Sequence, residues 1–307
     1  MDKKILFGFL FLVFFIAFGA GMKLYDFYKS YDIPKLDQNV SLNNLNLNFE
    51  KETGLVQNLT EPQQIISLEN INIDNLEEAY SLSRNLAKEG NKQDAISYLK
   101  EIVKLDPTNL VYINELRILY LEMKKTDLFL EFTQTLTETY EVKLNNALAY
   151  VDYLQSPDLG TANLGQKSVQ SITILDEMLE ENPYDLLARY ARGLNNLYWP
   201  SGLQRTSKAI DDLTFCVSAE EKFGDQYFEF WPDCFITLGD AYVKDGDIEK
   251  GKQVWEKGEH KYPNNEGLKD RSNLSDKEAV KLVTEVIGID IFQRPDASIT
   301  NLNVIWE

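Results

Sequence analysis

The chain has 307 residues, of which 44% are hydrophobic, so it contains enough apolar material for a folded core. Its side chains give a formal net charge of -18 at pH 7, and so acidic a surface repels the phosphates of nucleic acids. We therefore expect no nucleic-acid partner. The acidity has two further explanations, solubility alone or attraction of a basic partner, and composition does not separate them.

The chain begins with an uncharged run from Ile5 to Met22, which follows Lys3 and Lys4. A helix over this run would be about 27 Å long, close to the roughly 30 Å hydrocarbon thickness of a bilayer. Lysines ahead of such a span favour a cytoplasmic N-terminus. We therefore predict a signal anchor over residues 1–22, which places the rest of the chain outside the cytoplasm, in a periplasm or on a cell surface. Small residues near the end of the run leave signal cleavage as an alternative.

Residues 23–74 are rich in Asn, Gln, Leu and Ser and show no sustained helical period. Leu45 and Leu47 alternate with asparagines, as in a short extended segment. We interpret this stretch as a spacer between the membrane and a folded domain.

The helical period begins at Leu76 and covers two helices separated by a turn. Apolar residues recur every three to four positions on both sides of Gly90 and Asn91, which form the turn. Pro107 ends the second helix, because proline cannot continue one. The small and bulky positions of this pair are Ala79, Leu82, Leu86, Ala95, Leu99 and Ile102.

Three less regular helix pairs follow, which begin near Leu110, Leu144 and Tyr184. In the first of them, Arg117 and Phe129 stand where the regular pairs have small residues. The second has a long loop between its helices, and the third has an expanded turn, LYWPSGLQRTS.

The segment from Asp233 to Pro263 has the most informative spacing of the chain. Small residues that let two helices approach alternate with bulky residues that fill the space between them. The positions concerned are Leu238, Gly239, Tyr242, Gly246, Gly251, Trp255 and Gly258. This spacing resembles the tetratricopeptide (TPR) repeat, a helix-turn-helix of about 34 residues, and the pair that begins at Leu76 fits the same pattern.

Beyond the fifth pair, Ser275 followed by Glu278 predicts a capping box and a last helix that ends near Ile287. Such a helix resembles the polar cap that a repeat stack needs at its open end. The tail after it is hydrophobic at its end, and it either packs back onto the stack or engages a partner.

The resemblance to TPR proteins implies an all-α fold. We expect a right-handed superhelical solenoid of about five helix-turn-helix units plus a capping helix, preceded by one N-terminal transmembrane helix. The expected domains are the anchor over 1–22, the spacer over 23–74, the solenoid over 75–290 and the tail over 291–307.

In TPR proteins the first helix of each pair lines the concave face, so the resemblance implies a groove for a protein or peptide partner. Arginine, lysine and asparagine on that face can hydrogen-bond the backbone of an extended peptide or its terminal carboxylate. The candidate contact residues are Glu77, Tyr80, Arg84, Lys88, Asn114, Arg192, Asn195, Asn196, Asp240 and Lys244. In the expanded turn, Trp199 is either a further contact or a lid folded onto the core.

The sequence contains no recognisable catalytic or metal-binding motif. His260 is the only histidine, we interpret Asp211 and Asp212 as part of a solvated face, and no phosphate-cradling glycine loop occurs. We therefore expect no enzyme activity, no cofactor and no metal. Cys216 and Cys234 form either a disulfide, if the chain is exported, or two small buried thiols.

Anchor and repeats together predict a membrane-anchored TPR scaffold that binds protein partners outside the cytoplasm, in the assembly or maturation of an envelope complex. Two alternatives stay open. One is a transporter-associated protein whose irregular repeats enclose a small solute, and the other is a homo-oligomeric structural scaffold.

Overall fold

The computed structural model describes residues 30–60, 62, 66–156 and 158–306, and the regular structure of these residues is helical throughout. The helices are α1 (Glu50–Gln57), α2 (Leu76–Lys88), α3 (Lys92–Leu105), α4 (Leu110–Glu122), α5 (Thr126–Thr133), α6 (Tyr140–Tyr153), α7 (Thr161–Glu181), α8 (Leu186–Leu197), α9 (Thr206–Phe223), α10 (Trp231–Asp245), α11 (Ile248–Lys261), α12 (Glu266–Ser272) and α13 (Asp276–Val286). Short 3₁₀ turns lie at Leu68–Asn70, Ile73–Asn75, Ser201–Leu203, Ala297–Thr300 and Leu302–Ile305.

The predicted membrane helix, residues 1–22, lies outside the described residues. Among the residues that are described, no helix combines the length and the apolar character that crossing a bilayer requires.

Helices α2 to α11 form five hairpins, each of which packs on the next. The first helices of successive hairpins also contact one another, α4 with α6, α6 with α8 and α8 with α10, and α2 meets α4 through Tyr80 and Tyr112. We call the first helices of the five hairpins the inner row. The stack confirms the predicted TPR-like arrangement of helix-turn-helix units.

Glycines, which have no side chain beyond hydrogen, let the two helices of the fifth hairpin approach closely. A Cβ on Gly239 would lie 2.2 Å from the Trp255 Nε1, and a Cβ on Gly251 would lie 2.7 Å from the Gly239 carbonyl oxygen. Trp255 fills the remaining space and donates its Nε1–H to the Ile236 carbonyl at 3.1 Å. Gly246, in the turn, has φ of 96°, which non-glycine residues rarely adopt.

The capping end of the stack follows the sequence prediction. Ser275 precedes α13, and its backbone N–H donates to Glu278 Oε2 at 2.9 Å, which is half of the expected capping box. The Arg271 guanidinium of α12 binds the buried Asp240 carboxylate of α10 at 2.8 and 3.0 Å. The cap is thereby joined to the inner row.

The N-terminal segment, residues 30–49, is packed against the stack, which corrects its interpretation as a spacer. Leu45 and Leu47 are buried, and the Leu45 carbonyl accepts the Leu186 N–H at 3.1 Å. Between the leucines, the Asn46 amide donates to Asp185 Oδ2 at 2.7 Å. The alternating leucines and asparagines therefore attach this segment to the start of α8. Helix α1 follows the segment directly in the chain.

The two cysteines lie where α9 packs on α10, and both are buried free thiols. The Cys234 thiol donates to the Phe230 carbonyl at 3.7 Å. This arrangement is the second of the two alternatives that the sequence left open.

The close approach of α10 and α11 gives a stability prediction. Gly239→Ala forces a Cβ against the Trp255 indole, and we expect a loss of about 1–3 kcal/mol in the free energy of unfolding. Gly54→Ala in α1 is the matched control, because nothing lies within 4 Å of its added Cβ and alanine favours helix. Urea unfolding of the two variants measures the difference, and equal stabilities would contradict the packing described.

Candidate functional site

The inner row carries most of the side chains that the sequence predicts as partner contacts, but few of them are open to solvent. Glu77 and Lys88 are exposed and Arg84 is half-buried. The other predicted contacts are buried, namely Tyr80, Asn114, Arg192, Asn195, Asn196, Trp199, Asp240 and Lys244. Apart from Trp199, which lies in the turn after α8, these residues are predicted to line an open groove, and that expectation does not hold for the seven because other parts of the chain cover them. Partner binding by any of the set stays a prediction.

The C-terminal segment, residues 289–306, covers much of the inner row. Its Ile289 carbonyl accepts the Ser201 N–H at 2.7 Å, and its Gln293 N–H donates to the Tyr198 carbonyl at 3.3 Å. Its two 3₁₀ turns then contact α6 and α4 in that order. The segment therefore runs along the first helices from the fourth hairpin back to the second.

A buried ion pair holds the segment at its centre. Arg117 of α4 and Asp152 of α6 are fully buried and joined at 2.8 Å. The Arg117 Nε–H donates to the Asn145 amide oxygen at 3.0 Å, and its Nη2 donates to Asn114 Oδ1 at 2.8 Å and to the Thr300 carbonyl. The Thr300 hydroxyl donates to the other oxygen of Asp152 at 2.7 Å. Burial raises the pKa of Asp152, while the Arg117 charge and these hydrogen bonds oppose the rise.

Asn114 binds the backbone and side chains of the same segment. Its amide nitrogen donates to Asn303 Oδ1 at 2.9 Å and to Asn301 Oδ1 at 3.4 Å. Its amide oxygen accepts the Leu302 N–H at 3.3 Å. The chain that lies beside Asn114 is therefore the protein's own.

Arg294 fixes the segment beside the loop that follows α6. Its guanidinium donates to the carbonyls of Leu154 at 3.0 Å, Leu159 at 2.7 Å and Ser156. The Leu154 carbonyl lies at the end of α6, where carbonyls lack intrahelical partners, and the other two lie in the loop, so one guanidinium joins the helix end to the loop.

Trp199 is a lid on the core, the second of its two predicted roles. Its Nε1–H donates to the Ser168 hydroxyl at 2.6 Å, and Ser168 in turn binds the Asn195 amide. Phe292 of the C-terminal segment packs against the indole, with ring centroids 5.3 Å apart. Trp199 and Asn195 therefore join the fourth hairpin to its cover.

The N-terminal segment covers Arg192 and Asn196. The Arg192 guanidinium binds both oxygens of Asp212 at 2.8 Å and stacks 3.5 Å from the centre of the Tyr31 ring. Asn196 donates to the Tyr31 hydroxyl at 3.1 Å. Burial raises the pKa of Tyr31. Asp212, interpreted from the sequence as part of a solvated face, is instead fully buried between Arg192 and Arg189.

Lys244 donates to the Leu197 carbonyl at 2.7 Å, so it joins α10 to the end of α8. Burial lowers the pKa of Lys244 to about 8, and the charge of Asp290, in the C-terminal segment, opposes that fall. Tyr80, another predicted contact, packs its ring against Tyr112 with centroids 4.9 Å apart.

The open part of the inner surface lies beside the first hairpin. A cleft of about 1140 Å³ lies between α1 and the start of α2 and reaches Tyr112 of α4. Its charged lining is acidic apart from Lys51, which lies 3.6 Å from one of the carboxylates, Asp106. The other carboxylates are Glu50, Asp74, Glu77 and Glu78. Such a surface favours basic groups on whatever enters it.

Sequence reasoning missed the residues that hold the cover in place. Arg117 stood out as a large residue at a small-residue position, and that anomaly was the available signal. Asp152, Tyr31 and Thr300 gave no signal, because each depends on a distant partner. The Thr300 hydroxyl binds a residue 148 positions away, and the Tyr31 N–H binds one 180 positions away.

The comparisons with known proteins do not establish a family for this chain. No protein-family model matches the chain, and no curated protein matches it. The structure is similar to the crystal structure of a thermophilic TPR protein from Thermus thermophilus, with a TM-score of 0.47 and 18% identity over 67% of this chain and 99% of that chain. The description of the helical hairpins rests on their own contacts and not on this similarity.

The buried ion pair gives a second stability prediction. Asp152→Asn leaves the Arg117 charge buried without a counterion, so we expect a loss of about 3–5 kcal/mol in the free energy of unfolding. Glu101→Gln, which removes an exposed pair with Lys104, should change it by less than about 0.5 kcal/mol. Urea unfolding measures both. A small loss for Asp152→Asn would mean that water reaches Arg117.

Lys244 gives a prediction for the dependence of stability on pH. The pKa of Lys244 is about 8 in the folded chain, and its ordinary value of 10.5 applies to the unfolded chain. Between pH 8 and pH 10.5 the unfolded chain therefore binds more protons than the folded chain. The charged form of Lys244 therefore lowers the free energy of unfolding at neutral pH, and this destabilisation disappears as the pH rises. Relative to Lys244→Met, the native protein should gain on the order of 2 kcal/mol in unfolding free energy between about pH 7 and pH 10. Parallel pH series of urea unfolding test this, and a constant difference between the two proteins would contradict it.

Proposed function

We propose that the protein is a membrane-anchored scaffold whose helical-hairpin domain binds protein partners outside the cytoplasm. Assembly or maturation of an envelope complex is the process that fits this architecture. The proposal includes neither an enzyme activity nor a cofactor.

One observation supports the binding role above others. The inner row holds a segment of the protein itself through a carbonyl, an N–H and a hydroxyl, which Arg117, Asn114 and Asp152 bind respectively. A surface that binds the backbone of one segment in this way has the chemistry to bind another. The acidic cleft beside α2 provides an open end of the same surface, where Glu77 is exposed.

The anchoring role is supported by the apolar run from Ile5 to Met22. Because Tyr31 is held on α8 and α9, the chain between Met22 and Tyr31 can span at most about 30 Å. An anchored domain would therefore lie close to the bilayer instead of on a long tether.

The solute-binding alternative needs an enclosed chamber of ligand size. A pocket between α6, α8 and the C-terminal segment has a volume of about 50 Å³, whereas pockets for small ligands are usually about 300–1,000 Å³. This pocket is too small for a solute while the segment is in place, so we do not propose solute binding there.

Site-specific photocrosslinking in native membranes tests the scaffold. A photoreactive residue in place of Glu77, on the inner surface, should crosslink to a partner protein. The same residue in place of Val169, which is exposed on the outer helix α7, is the control and should not crosslink to that partner. Equal capture at both positions, or capture of nothing at Glu77, would contradict the proposed binding surface.

Topology is tested separately with single cysteines. The native thiols are buried, so a cysteine in place of the exposed Tyr227 is the reactive one in the folded domain. A membrane-impermeant maleimide should label Tyr227→Cys in intact spheroplasts and should label Asp2→Cys only after lysis. The reverse pattern would rule out an extracytoplasmic domain.

A further inference from the structure

The C-terminal segment lies in the inner groove in the way a bound peptide would. Its polar contacts are made by backbone groups and by side chains such as Thr300 and Arg294, and its regular structure is limited to two 3₁₀ turns. The segment enters the groove directly after Gly288, which follows α13. The φ of 73° at Gly288 changes the direction of the chain there.

We propose that residues 289–306 are an internal ligand of the inner groove, and that a partner protein binds by placing a segment of similar chemistry there in their stead. This inference rests on the proposed function and names how the partner is recognised. In the isolated chain the groove is occupied, so partner binding and release of the segment are one exchange reaction.

The central contacts define the chemistry of the displacing segment. A hydroxyl residue is required to donate to Asp152, as Thr300 does at 2.7 Å, with its own carbonyl on Arg117. The residue two places later must present a backbone N–H to Asn114, as Leu302 does. A displacing segment therefore carries Ser or Thr, a backbone that can turn as 3₁₀ on either side of one extended residue, and no acidic residue facing Asp152.

A second set of contacts favours a basic residue ahead of the hydroxyl. Arg294 binds carbonyls that follow α6, and these carbonyls are acceptors for any guanidinium brought to the same place. The acidic cleft at the other end of the groove also favours a segment with basic flanks.

The internal ligand is buried at Leu302 and Trp306 but fits loosely elsewhere, and the loose part favours exchange. Ile291 is 60% exposed and Val304 is 47% exposed, so these two large apolar side chains contribute little burial. A pocket of about 50 Å³ remains beneath Pro295, Ile299 and Leu302, against the leucines of α6 and α8. A partner segment that fills this pocket gains contacts that the internal ligand lacks.

The hydrogen bonds of the groove also explain why an occupant is present at all. Arg117 and Asp152 are fully buried, and Thr300 supplies hydrogen bonds to both. An empty groove would expose the pair to water and remove two of its hydrogen bonds. Exchange for a segment with the same groups preserves them, so release of the internal ligand does not leave the buried pair without these hydrogen bonds when such a segment is present.

The test uses the full-length chain in detergent, with a protease site inserted after the exposed Ile291. After folding and cleavage, the protein is mixed with a fluorescent peptide of residues 292–307, and exchange is followed by anisotropy. We expect the labelled peptide to enter the groove and to be displaced by excess unlabelled peptide.

A matched pair of competitor peptides measures specificity. Thr300→Val should compete about 10- to 100-fold less well, because it loses the charge-assisted hydrogen bond to Asp152. Val304→Thr changes a side chain that is largely exposed, so it should compete as well as the native peptide.

Two outcomes of the cleavage experiment would overturn the inference. One is a cleaved segment that stays bound through gel filtration and never exchanges with the labelled peptide. The other is loss of the folded domain on cleavage, seen as loss of its near-ultraviolet circular dichroism, which would make the segment part of the core.

Hydrogen exchange on the uncleaved chain gives an independent measurement. The Leu302 amide should exchange at least about tenfold faster than amides in the middle of α8, because release of the segment does not require unfolding of the stack. Equal rates would also overturn the inference.

The photocrosslinking at Glu77 distinguishes this inference from the proposed function. If the peptide exchanges but no partner is captured, the groove is an exchangeable site and the scaffold function fails. If a partner is captured but the peptide does not exchange, the scaffold stands and the partner binds elsewhere on the inner surface. In a full-length Thr300→Val chain, weaker hold on the segment should increase partner capture several-fold.

Discussion

The architecture of this protein depends on one buried ion pair, between Arg117 and Asp152. Two charges that are removed from water are tolerated only when hydrogen bonds satisfy the rest of their donors and acceptors. Asn145 and Asn114 supply part of that set from the inner row, and Thr300 completes it from the far end of the chain. The pair therefore couples the irregular second and third hairpins to the segment that covers them, which explains why a large cation occupies a position where regular hairpins have a small residue.

The same solution appears at the other end of the chain. Asp212 is fully buried between Arg189 and Arg192, and the Tyr31 ring closes the cluster from outside. Both termini of the described chain are thus fastened to the stack through buried arginine and aspartate. The fourth hairpin receives contacts from both, and it is the place where the repeats, the N-terminal segment and the C-terminal segment become one folded unit.

The two terminal segments cover part of the inner row and so limit where a partner can bind. An open repeat stack offers its whole inner face to partners, but here the middle of that face is occupied and the open part lies at the acidic cleft beside α2. A partner therefore meets either the cleft alone or the cleft followed by a groove that must first be vacated. The two cases differ in kinetics, because vacating the groove adds an opening step before the partner is fully bound.

The amino-acid sequence by itself determined the helical hairpins, since helical periodicity, small residues such as Gly239 and Gly251, and the pairing of Ser275 with Glu278 are local patterns whose meaning does not depend on distant residues. It also indicated which polar side chains lie on the inner row. Only the tertiary structure decided what those side chains bind. Thr300 on Asp152 and Tyr31 on Arg192 join residues far apart in sequence, and no local pattern specifies such a pair. A helical wheel shows these polar side chains on a solvent-facing side of their helix. They are buried in the fold because another segment packs on them and supplies their hydrogen-bond partners, and the sequence of one helix does not contain that information.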